Sequence, residues 1–248
     1  MRKVWGFLII LFTAASLNAQ GLEADFEKAN AAYKAEKYLE ALEHYQAIRK
    51  QGYESVALYF NMGNAYYKLG QTAPAILNYE RAAQLDPYDE DVQQNLKIAQ
   101  QGVIDRFETM PKPLVRTAYL GLLQLLSPDA WALSALLFLG LMAVGLALYL
   151  FSAWRRPGFI LGFFGLLLGV IALSLAYAHD SYNRHHKPAI VMVPSSYVKT
   201  APSPSAEDAF ILHEGTKAQV TDYLEGWKKI RLPDGKIGWI EAEDITEV

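Results

Sequence analysis

The sequence predicts a multidomain membrane protein with three folded parts: an all-α helical repeat, a two-helix transmembrane hairpin and a small all-β barrel. Three observations predict it. Residues 131–154 and 159–178 carry no charged side chain, and each is long enough as a helix to cross a hydrocarbon core of about 30 Å. The segment before them matches itself when shifted by 34 residues. The segment after them alternates apolar and polar residues in short runs divided by turn residues, the pattern of small antiparallel sheets.

The totals narrow the function classes. The chain has 248 residues and a formal net charge of −3, which gives no reason to expect a nucleic-acid partner. It has no cysteine, which excludes disulfides, thiol catalysis, cysteine zinc sites and a lipid-modified N-terminal cysteine. No nucleophile elbow, phosphate loop or metal-binding histidine pair occurs. His179, His185 and His186 lie in a polar linker, 179–188, without the convergence that a metal site needs. The expectation is a protein that is not an enzyme, with no catalytic, cofactor-binding or metal-binding residues.

At the N-terminus, Arg2 and Lys3 precede an apolar run over 4–12 that is too short to span a bilayer. Residues 1–19 read as a signal peptide cleaved after Ala19, with an uncleaved anchor as the alternative. The two central runs are joined by Arg155-Arg156-Pro157-Gly158. So short a connection forces an antiparallel hairpin, and positive residues in short loops stay cytoplasmic. Both flanking regions are therefore expected outside, in the periplasm of a two-membrane bacterium. Arg184 and Lys187 oppose this orientation but lie outside the tight turn.

Over 20–102, the shift aligns Phe26 with Phe60, Asn30 with Asn64, Tyr33 with Tyr67, Lys34 with Lys68, Ala41 with Ala75 and Tyr45 with Tyr79. Small residues at 63 and 75 suit a close helix crossing, and Pro87 stops the second helix. Tyr59, Met62, Gly63, Tyr66, Ala75, Tyr79, Ala82 and Pro87 make the second copy similar to the tetratricopeptide repeat. Repeats are expected over about 22–55 and 56–89, followed by a capping helix. The resemblance implies a concave groove lined by Phe26, Asn30, Tyr33, Lys34, Phe60, Asn64, Tyr67 and Lys68. The asparagines would then bond a peptide backbone and the lysines a carboxylate. The alternative is that asparagine, tyrosine and lysine are simply the family's commonest residues at these positions, whatever the ligand.

Residues 103–130 begin with Pro111 and Pro113 and continue into a leucine-rich stretch interrupted by Arg116 and Gln124. They read as a linker and a helix lying in the outer membrane interface. Ser127, Pro128 and Asp129 offer a start for the first span. Gly158, Gly162, Gly165 and Gly169 let helices approach closely in lipid. In 189–248, strands are expected at 189–193, 196–200, 209–216, 217–225, 226–232 and 236–240, with a hairpin turn at Asp234-Gly235. Gly215-Thr216, Gly226-Trp227, Asp234-Gly235 and Gly238-Trp239 make this part resemble a bacterial SH3-like barrel. That resemblance implies binding of cell-wall peptides (peptidoglycan) or proteins, with Tyr223, Trp227 and Trp239 as a candidate ligand face; the alternative is that the tryptophans, each following a glycine, are structural.

The order of modules resembles the BatE-type proteins of the Bacteroides aerotolerance operons. The resemblance implies partners: membrane proteins with von Willebrand factor A domains, other Bat proteins and a cytoplasmic MoxR-type ATPase. The expected function is a periplasmic, membrane-anchored scaffold that assembles envelope complexes. The alternative is a cell-wall binder or sensor acting through the SH3-like part.

Overall fold

The computed structural model describes residues 21–107, 114–185 and 187–248. The expected signal peptide, Pro111, Pro113 and His186 lie outside the described residues. The chain divides into two compact units. One joins the chain up to Glu108 with Pro188–Val248, and the other is Thr109–Lys187.

The first unit begins with five helices. Residues 21–34 form α1, followed by α2 (Tyr38–Lys50), α3 (Val56–Lys68), α4 (Thr72–Leu85) and α5 (Glu90–Gln100). Ser55 caps α3 by accepting the Leu58 amide at 3.1 Å, and Asp89 caps α5 by accepting that of Val92 at 3.0 Å. Helices α1–α2 and α3–α4 are the two copies of the repeat. Their turns differ in one respect: Gly70 takes the left-handed conformation (φ 73°), and its counterpart 34 residues earlier is Glu36 (φ 62°). A side chain is strained there by about 1–2 kcal/mol.

Seven strands follow: β1 (Lys187–Val191), β2 (Ser195–Lys199), β3 (Asp208–His213), β4 (Lys217–Leu224), β5 (Trp227–Arg231), β6 (Ile237–Glu241) and β7 (Ile245–Glu247). They make one sheet in the order β3-β2-β6-β5-β4-β1-β7. Strand β7 was not expected from the sequence; its three residues are too few to show alternation, and it pairs antiparallel with β1 through Val191 and Ile245. Val198, Leu212, Val220, Ile230 and Ile240 form the core of the sheet.

The helices and the sheet are not independent modules. Ile190 of β1 is fully buried among Ile76, Tyr79, Leu96 and Ala99, with Met192, Val103 and Val248 packed around them. Residues 103–107, expected as linker, belong to this unit. Phe107 packs on the core of the sheet. Asp105 Oδ2 accepts from the His213 amide at 2.7 Å and the Thr216 hydroxyl at 2.6 Å. Gly215 lies so close to the helices that a Cβ there would be 2.9 Å from the Val103 side chain and 3.1 Å from that of Ile76.

The second unit holds α6 (Leu114–Leu123), α7 (Pro128–Phe151) and α8 (Arg155–His185). Helices α7 and α8 are long and apolar enough to cross a membrane. Their bounds differ from those expected from the sequence, which were spans at 131–154 and 159–178, a turn at 155–158 and a linker at 179–188. Ser127 caps α7 with Pro128 in its first turn, so the helix starts three residues early. Arg155, Arg156, Pro157 and Gly158 form the first turn of α8, where proline's missing N–H costs nothing. The turn itself is residues 152–154. Helix α8 continues to His185, and an Arg184–Asp180 ion pair of 2.6 Å braces its end. The two helices pack backbone to backbone. A Cβ on Gly145 would overlap Gly162, and one on Gly165 would come within 2.7 Å of the Met142 nitrogen. Gly145 on α7 was missed in the sequence because it lies outside the glycine spacing of α8.

The strained turn gives a prediction. Glu36→Gly restores the residue that the second copy has and should raise stability to denaturant by about 1 kcal/mol, strain relief being partly offset by glycine's entropy. An unchanged or lower midpoint would show that Glu36 is not strained.

Candidate functional site

The 34-residue repeat builds a repeated side-chain clamp. The Tyr45 hydroxyl donates to Asn30 Oδ1 at 2.7 Å, and Asn61 Nδ2 donates to the same oxygen at 3.1 Å. One repeat later the Tyr79 hydroxyl donates to Asn64 Oδ1 at 2.7 Å, and Asn95 Nδ2 does so at 2.9 Å. Each clamp ties a second helix and the next first helix to one asparagine. Phe26 and Phe60 lie over these tyrosines, with ring centroids 5.8 Å from Tyr45 and 6.0 Å from Tyr79.

Part of the expected groove has a structural role as well. The Asn30 and Asn64 side-chain carbonyls accept two hydrogen bonds each and so order the repeats. Phe26 and Phe60 are partly buried against the core. The remaining residues do line an open face. Tyr33, Tyr67 and Lys68 surround a cavity of about 290 Å³, with Asn64, Tyr79, Asn95 and Ile98 completing its wall. Lys34 is exposed but does not line it. Asn95 was legible in principle, because it follows Asn61 by 34 residues, but it falls beyond the second copy.

The clamps fix the electrostatics of the site. Burial, the largest cause, pushes the Tyr45 hydroxyl from 10.0 up to about 12, although the neighbouring Asn61 amide works the other way. Burial raises Tyr79 as well. Both hydroxyls therefore stay neutral donors. The usable chemistry of the cavity is one exposed ammonium, two aromatic edges and an aliphatic side chain, Ile98.

The residues expected as a ligand face on the sheet are not gathered together. Trp227 is buried at 8 % exposure. Trp239 pairs with Lys199 and Lys229 in the register, and the Lys229 ammonium lies 5.6 Å from its ring centroid. Tyr223 pairs with Lys228, one residue out of phase with Trp227 and Lys229, and so faces the other side of the sheet.

The tetratricopeptide repeat family matches residues 56–89, which are α3, α4 and the turn after them. The Sgt2 TPR domain from Aspergillus fumigatus is a structural neighbour at 15 % identity, aligned over 77 % of this chain and 89 % of that one with a TM-score of 0.31. No curated protein matches the sequence. The chain therefore contains a tetratricopeptide repeat, and such repeats serve protein–protein interaction.

Asn64→Ala strands the buried Tyr79 hydroxyl and should cost about 1–3 kcal/mol of stability. A loss of partner binding without any loss of stability would contradict the clamp. A second expectation follows from the raised tyrosines. The unfolded chain ionises them near 10.0, whereas folded Tyr45 does so near 12. Their stabilisation is thus complete below 10.0 and lost as pH rises towards 12. Denaturation series at rising pH should show a shallower decline for Tyr45→Phe than for wild type; parallel declines would contradict the assignment.

Proposed function

We propose that the chain is a membrane-anchored scaffold that binds protein segments in the helical groove and holds them beside a membrane. The observation that carries this reading is the division of labour on the repeats. The sheet packs on α4 and α5 through Ile76, Leu96 and Ala99, while the cavity of Tyr33, Tyr67, Lys68 and Ile98 stays open. A short extended peptide with a carboxylate for Lys68 and an apolar side chain for Ile98 and the tyrosines suits that surface. In this reading the protein's work is binding, not catalysis.

Membrane anchoring rests on the length and composition of α7 and α8. The composition of the first unit supports a parity argument. Segments from before and after the hairpin share one core, so they belong on the same side, and the hairpin between them crosses and returns. Arg155 and Arg156 next to the turn favour its cytoplasmic placement. The first unit is then periplasmic, and α6, with Leu114 and Val115 more than 80 % exposed, lies at the outer interface. The sheet fits an SH3-like module in size and strand pattern. Its order after a repeat and a hairpin supports a Bat-type role in the envelope, with von Willebrand factor A-domain membrane proteins as the partner class. The buried Trp227 does not favour the cell-wall-binding alternative.

The test uses the full chain against a displayed library of random peptides. Enriched peptides should carry an acidic residue. Lys68→Glu should weaken them about tenfold, a change of ~1.4 kcal/mol, with the melting curve unchanged. Enrichment without charge preference, or retained in Lys68→Glu, would remove the groove from the account.

A further inference from the structure

A second cavity, of about 420 Å³, lies where α2, α3 and α4 meet the end of β7, and it shares no residue with the groove. Arg49 comes from the end of α2, Tyr59 from α3, and Arg81, Gln84 and Leu85 from α4, with Glu54 and Val248 at its edge. We propose that this cavity is a second binding site, which takes a carboxylate side chain of a partner peptide between the guanidinium groups of Arg49 and Arg81.

The geometry of Arg81 is the main support. One of its Nη2 donors reaches the Glu247 carbonyl at 3.2 Å, and its Cζ lies 5.8 Å from the centroid of the Tyr59 ring. Those contacts fix the plane of the guanidinium, and most of its five N–H donors are still unused. Among the described residues, no carboxylate forms an ion pair with Arg49 or Arg81. Two cations thus face one polar cavity, with Glu54 and Val248 at its edge and neither guanidinium in an ion pair among the described residues. Burial first, and the Arg49 cation second, lower the proton affinity of Arg81. An anion entering the cavity offsets the repulsion between the two cations.

Glu54 selects among anions. Its Oε1 accepts from the Tyr59 hydroxyl at 2.9 Å, so its negative charge stays at the edge of the cavity. The nearby Glu54 carboxylate repels a second negative charge more strongly the higher that charge is. A singly charged carboxylate therefore fits the cavity better than a doubly charged phosphate. The Gln84 amide and the Leu85 side chain add the polar and apolar contacts that a peptide, unlike a free ion, can use.

The full chain purified in detergent would be titrated with acetyl-Ala-Glu-Ala-amide, acetyl-Ala-Gln-Ala-amide and inorganic phosphate, with binding followed by ligand-observed NMR. The glutamate peptide should bind, more weakly as salt rises, and the glutamine peptide should not. Arg49→Gln removes an exposed side chain that makes no packing contact in the core, and it should weaken binding about tenfold. Lys50→Gln, which makes the same charge change outside the cavity, should leave binding as in wild type. Arg81→Lys should also weaken it, because an ammonium lacks the planar fork. The proposal is overturned if the glutamate peptide fails to bind, if its binding is unchanged in Arg49→Gln but lost in Lys68→Glu, if phosphate or the glutamine peptide binds as tightly, or if Lys50→Gln weakens binding as much as Arg49→Gln.

Discussion

A buried contact between segments far apart in sequence holds the first unit together. Ile190 of β1 inserts among Ile76, Leu96 and Ala99 of α4 and α5, and polar bonds surround it. Asp105 receives the His213 amide and the Thr216 hydroxyl. Burial alone would raise its carboxyl, but these bonds prevail and hold it below its ordinary value. Lys217 of β4 meets Glu80, a carboxylate only 7 % exposed, at 2.6 Å. A buried carboxylate without a partner is costly, so Glu80 makes α4 dependent on the sheet.

The sheet stands where a further repeat would stack. In the first copy, Gln46 donates to the Tyr66 hydroxyl of the next copy at 2.8 Å. In the second copy, the same position is Glu80, and its partner comes from β4 instead. This explains why α4 is buried at six consecutive residues, Ala75–Glu80, with α3 on one side and the sheet on another. Two repeats are few for an independent stack. Closure of one face by the sheet supplies the missing burial and leaves the groove of α1, α3 and α5 free for a ligand.

Much of this was legible in the sequence, and the exceptions have physical causes. The repeats show because Tyr45/Tyr79 and Asn30/Asn64 recur at one period; their partnership does not, since a period says which residues correspond and not which ones touch. The strands β1 to β6 show through alternation and the Asp234-Gly235 turn. The shared core does not show. Ile190, Met192 and Val103 look like ordinary strand or loop residues, and only long-range packing gives them a partner. The Arg49–Arg81 cavity is hidden for the same reason, because its walls come from separate helices. The shift of the basic turn into α8 reflects proline, which breaks a helix in its middle and fits its first turn equally well.

The account stands or falls on whether the segments before and after the hairpin form one body on one side of a membrane. The chain has no cysteine, so single cysteines report cleanly. Gln51→Cys, Ser205→Cys and Ala153→Cys, all at exposed positions, would be labelled in intact cells with an impermeant maleimide. The account predicts that 51 and 205 label together and that 153 labels only after the membrane is opened. Labelling of 51 and 205 from opposite sides would contradict the shared core itself.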